Sequence, residues 1–201
     1  MLDRFLEWVA QLPALAVYVV LMALSALENV FPPVPADVAV VLGAFLAQRG
    51  LTSAPVLGVL CWVANTVSAA AMFFYARRRG RKFFESGWRR TLMPPETIAA
   101  LQKAYERHGV LGIFLSRFLP GVRAAVTPFA GVVGMAPWRA LLPAAVASAI
   151  WYAVLIAFGS FLGLNWETAR AKLDDANRVL GALSVVVTVA IVAWLWRRRT
   201  R

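Results

Sequence analysis

The chain has 201 residues, of which 61% are hydrophobic and only 15% charged, and its mean hydropathy is +0.68. Soluble domains run near half apolar and a quarter charged, so this composition argues against an ordinary soluble globule and for one all-α polytopic membrane domain over residues 1–201. The formal net charge of +11 would suit a nucleic-acid binder. Here, however, the positive charge is gathered at "RRRGRK" (77–82), "WRR" (88–90) and "RRRTR" (197–201), beside apolar runs, as on the cytoplasmic flanks of membrane helices; no nucleic-acid partner is expected.

In chain order, residues 2–12 read as an amphipathic interfacial helix, and their mixture of Asp3, Arg4 and Glu7 is unlike the positive start of a cleaved leader. Residues 13–31 are apolar and barely long enough to span about 30 Å of hydrocarbon at about 1.5 Å per residue. Residues 54–76 predict a transmembrane helix that stops at the first arginine block. A basic cytoplasmic segment covers 77–108, and its "PPETIAALQKAYERHG" predicts a helix bounded by proline at the start and Gly109 at the end. Residues 138–162 and 179–196 are two further predicted spans, separated by a charged but balanced loop.

Two apolar stretches fit poorly as simple spans. Residues 28–47, "ENVFPPVPADVAVVLGAFLA", carry Glu28, Asp37 and three prolines; residues 111–135, "LGIFLSRFLPGVRAAVTPFAGVVGM", carry Arg117 and Arg123 either side of Pro120-Gly121. A proline inside a helix costs roughly 3 kcal/mol, and each central charge adds about 2.5 to 3.5 kcal/mol on the insertion scale. Broken backbone at membrane depth is tolerated where it is buried in protein or lines a watery cavity. Both stretches therefore predict re-entrant helical hairpins, each with arms of about ten residues reaching about 15 Å. The positive-inside rule closes on this reading only if 111–135 returns to the cytoplasm, 28–47 enters from the outer side, and both termini are cytoplasmic. The two stretches share a weak Phe-x-Pro, charge, apolar run, Gly pattern, as inverted repeats of transporters do.

Ionisable groups inside a membrane need partners and mark function by default. Two readings of Glu28, Asp37, Arg117 and Arg123 stay open. In one they form a salt-bridge knot that pins the hairpins; a pair at about 4 Å under an effective dielectric of about 20 is worth about 4 kcal/mol, which suffices. In the other, Arg117 and Arg123 bind a phosphate, for which the guanidinium fork is suited, while Glu28 and Asp37 serve as counter-charges coupled to protons. His108 stands beside a polar helix end and reads as structural; no His/Cys cluster suits a metal, so neither metal nor cofactor is expected. Ser116 has no neighbouring base to make it a nucleophile. Cys61 permits no internal disulfide. Asn65 and Thr66, polar within a span, are candidates to hydrogen-bond a hairpin or line a path. The eight tryptophans read mostly as aromatic belts at span ends.

Glu-Asn followed by "FPPVPAD", then "RHG" and "SRFLPGVRAAVTPFAG", resembles the DedA family of integral membrane proteins, the SNARE-associated or VTT-domain group, over roughly residues 15–165. The resemblance implies two oppositely oriented re-entrant hairpins and a lipid-translocating role, in bacteria including the recycling of undecaprenyl phosphate across the plasma membrane. It places the family's essential acids on Glu28 and Asp37 and its essential arginines on Arg117 and Arg123. The expectation is a transporter of a phosphate-bearing lipid between leaflets and not an enzyme. The partners are membrane lipids and protons; oligomeric state is not legible. The rivals are an ion-coupled transporter of a small soluble anion, an intramembrane enzyme acting on lipid phosphates, and an assembly protein.

Overall fold

A computed structural model describes residues 12–31, 34–80, 82–85, 95–119 and 122–166. The expected interfacial helix, the span 179–196 and the basic residues 88–90 and 197–201 lie outside these. The chain forms two compact units, Met1–Gly163 and Leu164–Arg201; everything below concerns the first, apart from the last residue of its final helix.

The described elements are helical. They are α1 (Ala14–Leu27), α2 (Ala36–Ala47), α3 (Ala54–Arg79), α4 (Lys82–Glu85), α5 (Pro95–Ser116), α6 (Arg123–Val132) and α7 (Pro137–Leu164). Two of them, α3 and α7, are long and apolar enough to cross a membrane; at about 1.5 Å per residue they run about 39 and 42 Å. Each shows why it starts and stops. Pro55 stands in the first turn of α3, three arginines occupy its last turn, and Gly80 ends it at φ 57°. Proline at the start, cations at the negative end of the helix dipole and a glycine stop are all favourable there. Large apolar side chains face outward along both spans, Val59, Val63 and Val67 on α3 and Val146, Ile150, Val154 and Phe158 on α7. Stripes of that kind at helical spacing suit lipid.

The remaining apolar helices are short. α1, α2 and α6 have 14, 12 and 10 residues, hence about 21, 18 and 15 Å of length. Within 28–47 the structure corrects the expected pair of ten-residue arms. Hydrogen-bonded turns carry α1 on as far as Phe31, whose N–H bonds the Leu27 carbonyl at 2.8 Å, and a single helix then fills 36–47. The helix pair is α1 with α2, and 28–35 is their connection. The stretch 111–135 does break in two, with α5 ending at Ser116 and α6 beginning at Arg123. Gly109 ends the polar helix as expected: its φ of 55° and ψ of −132° are non-helical, and a second helical run, 110–116, follows within α5.

α3 is the post against which both broken segments pack. Val17 and Leu21 of α1, Val40 of α2, Leu57 and Cys61 of α3 and Tyr152 of α7 share one core. Farther along α3, Phe73 packs with Ile113 of α5, Val126 and Ala130 of α6 and Ala140 of α7. Every residue from Ala124 to Gly131 of α6 is buried, which is the pattern of a helix enclosed by protein on all sides. The crossing depends on Gly131, since a Cβ there would lie 2.3 Å from the Phe73 carbonyl oxygen. Gly159 plays the same part where α7 crosses α2, with Val41 O at 2.3 Å from its would-be Cβ.

Candidate functional site

The breaks α1/α2 and α5/α6 meet beside the middle of α3. Asn65, eleven residues past the start of α3 and so about 17 Å along it, anchors the first break. Its Nδ2 donates to the Ser25 carbonyl at 3.2 Å, and its own carbonyl accepts from Asn29 Nδ2 at 3.1 Å. Ser68 Oγ adds a 2.6 Å bond to the Ala26 carbonyl. These contacts satisfy carbonyls freed where the helix ends, and they bear out the expectation that Asn65 bonds a broken segment. Thr66, its companion in that expectation, has a buried hydroxyl with no hydrogen-bond partner.

Four ionisable side chains converge there. Glu28 follows α1, Asp37 stands in the first turn of α2, Arg117 follows α5 and Arg123 opens α6. Arg123 Nη2 pairs with Glu28 Oε1 and, at 2.7 Å, with Asp37 Oδ2. A cation at the first residue of a helix faces the positive end of the dipole, which is unfavourable by itself; two carboxylates reverse that. Asp37, by contrast, sits where its helix dipole favours an acid.

Arg117 is placed differently. It is 4% exposed, yet has no carboxylate within 4.0 Å among the described residues. Its Nη1 donates to Asn29 Oδ1 at 3.4 Å and to the Arg123 carbonyl at 3.3 Å, and its buried Nε bonds nothing. Both contacts are long for N–H···O bonds. A buried guanidinium carries five donors and costs several kcal/mol to desolvate, and here one of those donors, on Nε, has no hydrogen bond. Access is graded: Glu28 is 6% exposed at its side chain, Arg123 14% and Asp37 26%, so the cluster opens on the Asp37 side.

Trp151 was not anticipated as part of this cluster. It lies halfway along α7, donates Nε1–H to Asp37 Oδ1 at 3.2 Å, and holds its ring 5.8 Å from Arg123 Cζ. Phe118 packs edge-on against it, with ring centroids 6.1 Å apart. Residue 151 is near the centre of the predicted span 138–162, so it is one of the tryptophans to which the belt reading does not extend. Trp62, also inside a span, ties α3 to α7 through Nε1–H and the Ala145 carbonyl at 2.9 Å. Asn29, which supports Arg117, also carried no signal beyond its place beside Glu28. Ser116 Oγ donates to the Ile113 carbonyl at 2.6 Å.

A cavity of about 230 Å³ lies between α5 and α6, and its lining includes Ser116 and Val122, the chain neighbours of Arg117 and Arg123.

Comparison with known proteins follows the same outline. A family model described as the VTT domain matches residues 33–161. An "Alkaline phosphatase-like protein" of Lactococcus lactis subsp. lactis is 26% identical over 86% of this chain and 83% of that protein. The "Uncharacterized membrane protein YkoX" of Bacillus subtilis is 24% identical over 99% of this chain and 87% of its own length. "Undecaprenyl phosphate transporter A" of Staphylococcus aureus is 21% identical over 87% of both chains. No solved structure matches. The match over most of the chain, including Asp37, Arg117 and Arg123 of the charged cluster, shows that this protein belongs to the VTT-domain family, the DedA group of membrane proteins.

Proposed function

We propose that this chain moves a phosphate-bearing lipid between the leaflets of a bacterial plasma membrane. The observation that carries the reading is the unequal pairing of the two arginines. Arg123, partly exposed, holds both acids, whereas Arg117, more deeply buried, has no carboxylate within 4.0 Å among the described residues and leaves Nε without a hydrogen bond. An anionic headgroup with several acceptor oxygens is the ligand that completes it. Arg117 and Arg123 bind the phosphate, and Glu28 and Asp37 are the counter-charges. With all four groups ionised the cluster is neutral; a phosphate adds one or two negative charges in a poorly solvated place. Proton uptake by an acid offsets that excess, which couples headgroup movement to protons.

In this reading the short helices α1/α2 and α5/α6 are re-entrant pairs entering from opposite faces, related as inverted repeats, with the arginine-rich end of α3 cytoplasmic. Support comes from helices of about 15 to 21 Å, too short for about 30 Å of hydrocarbon, and from breaks that meet near the middle of α3. The substrate class is supported by the printed name of the S. aureus relative. The names of the L. lactis relatives support a second reading, hydrolysis of a phosphate ester, so the test includes product analysis.

The test is leaflet-to-leaflet movement of undecaprenyl phosphate in proteoliposomes, with a neutral-headgroup lipid as control and Arg117→Gln and Glu28→Gln variants alongside. Phosphate-selective movement of chemically intact lipid, lost in folded variants, is the expected result. Movement no faster than in empty liposomes for any lipid overturns the proposal, and release of inorganic phosphate replaces it with the hydrolytic reading.

A further inference from the structure

The cavity between α5 and α6 has almost wholly apolar walls. Gly112, Ile113 and Leu115 line one side and Val126, Phe129 and Ala130 the other. Its lining runs from His108 and Gly109 to Ser116 and on to Leu119, and the helical run 110–116 gives it about 10 Å of length at about 1.5 Å per residue. It is not sealed: Leu115 and Leu119, on its wall, are 51% and 54% exposed, so it opens sideways to the surroundings of the helices. At its deep end Ser116 and Val122 are the direct chain neighbours of Arg117 and Arg123. The apolar slot thus ends one residue along the chain from each of the two arginines.

The kink at Gly109 and the small side chain of Gly112 make the room. Gly109 adopts φ 55° with nothing within 4 Å of a would-be Cβ, and α5 turns there before running back along α6. Gly112 then removes the side chain that would otherwise fill the space one turn before Ser116. Close packing is the rule inside proteins, and an apolar recess of this size stays dry and is able to take up an apolar guest.

We propose that this cavity binds the headgroup-proximal segment of the substrate's hydrocarbon chain. The inference rests on the phosphate-lipid reading above and sharpens it. The chain is not left wholly in bulk lipid during transfer; its first carbons lie between α5 and α6 while the phosphate sits at Arg117 and Arg123, and the remainder leaves past Leu115 and Leu119. An apolar cavity of about 150 Å³ accepts benzene, so by proportion 230 Å³ takes about nine carbons. The site therefore selects single, slender chains bearing a terminal phosphate over phosphates without a chain.

The test uses the full chain in nanodiscs and a decyl phosphate with a photoactivatable diazirine at mid-chain, and the labelled residues are mapped by mass spectrometry. Decanol with the same diazirine and an excess of ethyl phosphate are the controls. Labelling is expected at Gly112, Ile113 and Val126, and ethyl phosphate, competing for the arginines, should suppress it. Gly112→Leu, which fills the slot, should lower labelling about tenfold, the scale on which an apolar pocket discriminates one methylene group. Leu119→Trp, at the exposed rim, serves the same end should Gly112→Leu fold poorly. Labelling that falls instead on outward-facing residues such as Leu15, Val38 and Phe158, unchanged in either variant, overturns the chain site. Equal labelling of the cavity by the phosphate and the alcohol, indifferent to ethyl phosphate, keeps the chain site and overturns the phosphate reading on which its substrate rests.

Discussion

Arg123→Gln is the substitution whose consequence follows most directly from the geometry. It leaves Glu28, at 4% exposed, and half-buried Asp37 without the cation that both of them pair with. The 2.7 Å pair with Asp37 is worth about 6 kcal/mol gross under an effective dielectric of about 20. The desolvation of three charged groups offsets much of this, and removing one member of a buried pair costs about 3 to 5 kcal/mol. In a chain of 150 to 250 residues about 1 kcal/mol moves the melting temperature by about 2 to 4 °C, so the expected drop is about 6 to 20 °C. Cys61, the single cysteine, is fully buried, so a thiol-reactive fluorophore added to the detergent-solubilised protein reads unfolding directly. Glu28→Gln combined with Arg123→Gln should recover part of the loss, because the orphaned charge goes with its partner; the failure of additivity measures the pair. Arg117→Gln should melt closer to wild type, since it removes a guanidinium with no carboxylate of its own. An Arg123→Gln protein melting within about 2 °C of wild type, or a double variant whose loss is the plain sum of the singles, would refute the account of Arg123 as the shared cation of both acids.

Further outcomes follow from individual contacts. Trp151→Phe keeps the ring near Phe118 and Arg123 but loses the bond to Asp37; a loss of about 1.5 to 3 kcal/mol in stability is expected, together with slower lipid movement in the proteoliposome assay. Asn29→Leu removes the acceptor of Arg117 and the donor to Asn65, and should cost about 1 to 3 kcal/mol in the same melting assay, the scale for a buried polar group left unpaired. Gly131→Ala sets a Cβ 2.3 Å from backbone oxygen and should destabilise by about 1 to 3 kcal/mol or more, as overpacking does. Gly134→Ala, at φ 74° with open space around it, should lose only about 1 to 2 kcal/mol from the left-handed backbone. Equal melting of those two glycine variants would show that α6 is not held tightly against α3.

The amino-acid sequence by itself determined where α3 and α7 lie, almost to their ends, because hydropathy, proline and terminal arginines act locally within one helix. It also determined that 28–47 and 111–135 break, and that Glu28, Asp37, Arg117 and Arg123 are the expensive residues of the chain, since each carries its desolvation penalty wherever it packs. Only the tertiary structure decided the rest. The bond from Arg123 to Asp37 joins residues 86 apart and that from Trp151 to Asp37 residues 114 apart. No periodicity or spacing encodes such a pairing. It depends on where α3 places the two breaks, and that is set by the packing of α6 through Gly131 and by the Asn65 anchor. The same packing made α1 rather than a short arm the partner of α2, left Arg117 without an acid beside it, and opened the apolar slot next to it. Local sequence fixes which groups must find partners; the crossing of the helices decides which ones do.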